Sequence, residues 1–129
     1  MTGIANGAFG TLVAVFATRA GLPDAEIAFL VTGAILAGAV AQVPFGKISD
    51  MTDRRYVIAA LAGCAALAAM LIFLLKPGAE VLIGLVVIYG ATANVLYPIT
   101  ASHANDFARP EDYVKISSGL LFLFGIGTI

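Results

Sequence analysis

Charged residues come in clusters along this chain, and between the clusters it runs for long distances without one. Residues 1–18, 27–46, 56–75, 81–102 and 116–129 contain no Asp, Glu, Lys or Arg. The second, third and fourth runs each reach about 20 residues, the length an α-helix needs to cross roughly 30 Å of hydrocarbon at about 1.5 Å per residue. None shows the alternating polar period of a barrel strand, and an unpaired backbone in lipid is too costly for any structure but a helix or a closed barrel. The pattern therefore predicts membrane helices over about 3–18, 27–48, 56–75, 81–102 and 114–129. The first run is short, but Gly3, Asn6, Gly7 and Gly10 break any signal-peptide core and Arg19 follows the run instead of preceding it, so a span is the better reading.

Composition agrees. The 129 residues are 60% hydrophobic and only 12% charged, with a formal net charge of -1, against about one quarter charged in ordinary soluble domains. A mean hydropathy of +1.00 leaves more apolar surface than so small a domain hides from water, so the lipid bilayer is the expected solvent. The single cysteine, Cys64, lies in an apolar run and supports neither a disulfide nor a thiolate metal site. No basic stripe is interleaved with aromatics, which removes nucleic acid as a partner, and no residue pattern asks for a cofactor or a metal.

Nearly all the charge sits in the connections, read as "RAGLPDAE", "KISDMTDRR", "KPGAE" and "HANDFARPEDYVK". Asp24 and Asp112 are candidate helix N-caps. The second and fourth connections hold Lys47, Arg54, Arg55, Arg109 and Lys115, the first and third only Arg19 and Lys76; five against two places the second and fourth in the cytoplasm, and with them the N-terminus of this segment. Small residues four apart, Gly3 and Gly7, Ala34 and Gly38, Ala37 and Ala41, Ala59 and Gly63, predict close helix contacts.

The second connection, "GKISDMTDRR" at 46–55, is the most charged stretch. Gly46 allows close packing where the chain leaves the helix, and Asp50 and Arg54 have the spacing for a local ion pair. A topogenic basic loop is one sufficient reading. The spacing also resembles the turn between the second and third helices in each half of the major facilitator superfamily, G-x-x-x-D-[RK]-x-G-[RK]-[RK], matched at Gly46, Asp50, Arg54 and Arg55, with Met51 and Asp53 departing from it. Together with "NGAFGTLVAVFATRAGL", "QVPFGKISD" and "LYPITASHANDFARPEDYVKISSGLLFLFGIG", the whole chain is similar to the second half of such a transporter, helices seven to eleven of twelve.

The resemblance implies an all-α polytopic fold: four full transmembrane helices plus part of a fifth, a partial half-bundle of a longer protein in a bacterial inner membrane. It implies a secondary transporter of a small solute working by alternating access. Gly46, Asp50, Arg54 and Arg55 would form a conformational latch, with Asp50 docking on a helix N-terminus in the N-terminal half of the same transporter.

The only Asp, Glu, Lys or Arg within the predicted spans are Lys47 and Lys115, at their very ends, so the sequence offers no intramembrane proton relay. Asn6, Tyr89 and Asn94 are candidates for a substrate cavity, each with packing or interhelical hydrogen bonding as the plainer alternative. Tyr97, His103, Asn105 and Asp106 are candidates for a cytoplasmic gate or a helix-end cap; without a second His or a nucleophile turn they form no catalytic constellation, and the chain is not expected to be an enzyme. Two rival readings remain: a small dimeric multidrug-type transporter, expected to carry an acidic residue in an early helix, and a non-transporting membrane scaffold or assembly subunit.

Overall fold

Backbone polar groups in an apolar medium have to pair within their own segment, and this chain does so almost end to end. The computed structural model describes residues 2–129. It contains α1 Thr2–Arg19, α2 Asp24–Met51, α3 Arg54–Leu75, α4 Ala79–Asp106 and α5 Tyr113–Gly127, with a short 3-10 turn at Pro110–Asp112 before α5, and no strand among the described residues. By length and composition α2, α3 and α4 are able to cross a membrane. α1, with 18 residues, is diluted by Asn6 and its glycines, and α5 has 15; these two fall outside that group.

The helices outrun the charge-free stretches that announced them. α2 and α4 have 28 residues each, about 42 Å at about 1.5 Å per residue. A charge-free run marks the apolar slab, whereas the backbone stays helical through the polar residues beyond it. The stretch 46–55 is consequently not a loop. α2 continues to Met51 and α3 starts at Arg54, leaving only Thr52 and Asp53 between them.

Helix ends follow local chemistry. The Asp53 carboxylate accepts the Arg55 backbone N–H at 2.9 Å and caps α3. That helix stops at Lys76, in the left-handed region at φ 43, with Pro77 after it. The two caps expected from sequence do not form: Pro23 holds the N-cap position of α2 with Asp24 in its first turn, and Asp112, although placed at the N-cap of α5, makes no capping bond. The Asp112 carboxylate accepts from Lys115 Nζ instead, at 3.2 Å.

α4 is the hub, packed on α1, α2, α3 and α5, while α2 and α3 hold most of its surface. It runs parallel to α2, and the two cross where small residues let backbones meet. A Cβ on Gly38 would lie 2.7 Å from Asn94 Cβ, and one on Gly90 would lie 2.7 Å from Ala34 Cβ. Gly3 and Gly7 likewise seat α1 on the end of α5, where added Cβ atoms would strike Phe124 O and Thr128. Gly63 has open space around it, so the Ala59–Gly63 pair makes no such seat.

Two apolar clusters form the interior. One joins Val13, Ala17, Leu22, Leu30, Ala34, Leu82 and Val86; the other joins Val57, Leu61, Val95, Leu96 and Ile99. Outside them the surface is apolar as well: Phe29 is 80% exposed and Phe73 78%, whereas Leu30 is 1% exposed. Hydrocarbon is the medium that tolerates such a surface.

Candidate functional site

The end of the bundle where α2 stops, α3 starts and α4 stops gathers the charged side chains. Arg54, in the first turn of α3, reaches both neighbours. Its Nη2 donates to Asp50 Oδ1 of α2 at 2.9 Å, and its Nε lies 3.0 Å from Asp106 Oδ2 of α4. The Arg54 side chain is the least exposed of the trio, at 22%, with Asp50 at 69% and Asp106 at 45%. A planar fork with several fixed N–H donors is the group suited to bridging two carboxylates. Asp50 keeps most of its surface open to whatever faces this end.

Around the trio lies a polar cavity of about 440 Å³ whose walls include Ser49, Asp53, Arg55, His103 and Phe107. The Arg55 guanidinium stands 6.0 Å from the Phe107 ring centroid, and the His103 ring meets Phe107 edge-on at 5.2 Å. The structure thus brings the latch candidates Asp50, Arg54 and Arg55 together with His103 and Asp106 of the gate group. Gly46 lies within α2 with nothing near a would-be Cβ; the close packing expected of it is absent. Met51 is 88% exposed and takes no part.

The remaining gate candidates act between α4 and α5. Tyr97 packs on Phe124 with ring centroids 4.5 Å apart, and Asn105 Nδ2 donates to Ser117 Oγ at 3.2 Å. Asn105 thus joins two helices, and Asp106 serves the ion pair instead of a helix-end cap.

The cavity candidates do not converge. Asn6 Nδ2 donates to Thr2 O within α1 at 3.1 Å. Tyr89 donates its hydroxyl to Ala5 O at 3.1 Å and stacks on Phe9 at 5.3 Å, tying α4 to α1. It lines two apolar clefts, of about 350 and 540 Å³, between α1 and α3. Asn94, five residues on and so on another face of the helix, is packed against Gly38 of α2.

Three participants escaped the sequence reading. Asp53 broke the family pattern yet carried an ordinary signal, an Asp just before a helix start. Phe107 and Ser49 carried none, because an aromatic beside a basic turn and a serine in a helix are common everywhere. Among the described residues no group of three or more His, Cys, Asp or Glu is placed to hold a metal ion.

An uncharacterized MFS-type transporter of Enterobacter sp. (strain 638) is 25% identical over 134 residues, covering 100% of this chain and 33% of that protein. The chain therefore spans about a third of the length of that relative. No solved structure matches it significantly. The family model described as Major Facilitator Superfamily matches residues 1–129, the full length of the chain, which therefore belongs to that superfamily of multi-pass membrane transporters.

Proposed function

We propose that this chain forms part of a secondary transporter that carries a small solute across a bacterial inner membrane by alternating access, with its charged end in the cytoplasm. Family membership supports the transporter role; the basic residues around Lys47, Arg54, Arg55, Arg109 and Lys115 support the orientation. The observation that carries the mechanism is the sharing of Arg54 between Asp50 and Asp106. It fastens α2, α3 and α4 into one unit and presents Asp50, still largely open, to the other half of the protein.

A carboxylate at a helix N-terminus is worth on the order of 0.3–2 kcal/mol. An interaction of that size, made in one state and absent in the other, shifts a two-state equilibrium by up to about thirtyfold. Asp50 is the docking residue in this scheme, and Arg54 fixes its direction. Asp50→Asn in the full-length transporter, reconstituted in vesicles, is expected to slow uptake several-fold while thermal unfolding in detergent stays near wild type. Wild-type uptake by that variant would remove the latch. A thermal-shift screen of the intact protein against small solutes identifies what is carried.

A further inference from the structure

Many hydroxyls in this bundle are satisfied within their own helices. Those of Thr11, Thr18, Thr92, Thr100 and Ser118 each donate to the carbonyl four residues earlier, the usual resort where no other acceptor is near. Ser49 breaks the habit. It is 2% exposed and its Oγ has no partner among the described residues. The hydroxyl faces a crevice of about 130 Å³ between the charged-end halves of α2 and α4, walled by Gln42, Arg54, Pro98 and Ser102 among others.

Polar groups from both helices converge there. Gln42 brings a carboxamide and Ser102 a second hydroxyl, and Asp50 and Arg54 stand at the outer wall of the crevice. Ser49, Asp50 and Arg54 line both this crevice and the larger polar cavity at the end of the bundle, which gives solvent a way in. A buried water needs two to four polar partners and about 10–15 Å³ for its centre; the crevice offers both, with Ser49, Gln42 and Ser102 as partners and about 130 Å³ of room.

We propose that the crevice is a bound-water site, filled from the charged end past Ser49. The α2–α4 seam is then wet as far as Gln42, roughly 12 Å along α2 from Asp50, and dry beyond it, where Gly38 and Gly90 bring the backbones together. Water bridges in the outer seam replace close packing, so the two helices part there more readily than at the crossing. This holds whether or not Asp50 is a latch, because its test reads solvent and not transport.

The test is thiol labelling of the full-length transporter in membranes, with Cys64 replaced by Ala and any other cysteine removed. Single Ser49→Cys, Gln42→Cys and Ser102→Cys variants are exposed from the charged end to a small cationic methanethiosulfonate reagent. Val43→Cys is the control, since Val43 adjoins Gln42 in α2 and is 64% exposed on the apolar surface. Only a hydrated thiol ionises to the reactive thiolate, so the three crevice positions are expected to react at least about tenfold faster than the control. Should Ser49→Cys fail to reach the membrane, Gln42→Cys and Ser102→Cys decide the matter. Labelling at those positions no faster than at Val43→Cys overturns the proposal.

Discussion

Arg54 touches carboxylates on two other helices, and replacing it separates geometry from charge. Lys keeps the charge but offers one compact ammonium where the two carboxylates are met by two different nitrogens of a planar fork. Arg54→Lys is expected to lower the initial uptake rate, as is Asp106→Asn, and the double variant is expected to be no slower than the worse single one. Uptake rates that fall multiplicatively in the double would mean that the two residues act separately. Exposed ion pairs contribute about 0–1 kcal/mol to stability, so thermal unfolding should move little in either. Half of this arrangement was legible in the sequence: the i,i+4 spacing announces Asp50 and Arg54. Asp106 was not, because its approach to Arg54 depends on how α4 lies against α3, and nothing local encodes that. Asp53 is the opposite case: an Asp just before a helix start is a local capping signal, and here it stands inside a motif that it interrupts.

Among the helices, the tightest constraint is the α2–α4 crossing. Gly38→Val would push a branched side chain into Asn94 and the Gly90 carbonyl, and overpacking of that kind costs about 1–3 kcal/mol. Thermal unfolding in detergent should fall for Gly38→Val and hold or rise slightly for Gly63→Ala, since Gly63 lies within α3 and faces open space. An unaltered melting temperature for Gly38→Val would show that the crossing yields. The number and order of helices could be read from charge-free runs, but their ends could not, since helical bonding persists beyond the apolar slab. Pairs of small residues were legible as faces without partners. Four-residue spacing says that something fits closely, and only the packed bundle tells which pairs are used: Ala34 and Gly38 are, Ala59 and Gly63 are not.

Viewed whole, the bundle has one charged end and one sparse end, an asymmetry already visible in the Lys and Arg of its connections. In intact cells a membrane-impermeant thiol reagent is expected to label Lys76→Cys from outside, and Lys115→Cys only after the membrane is opened. The reverse pattern would invert the orientation. The charged end is also mechanically uneven. α2 passes to α3 through Thr52 and Asp53 alone, whereas α4 reaches α5 through Phe107 to Arg109 and a further 3-10 turn. The first joint has no slack: its second residue is bonded to the helix that follows and Arg54 is bonded to the helix before. A tilt imposed on α2 therefore reaches α3 as torque, while the longer joint lets α5 lag behind α4. In the proposed alternating-access scheme the segment would turn as a stiff lever of three helices with α5 trailing.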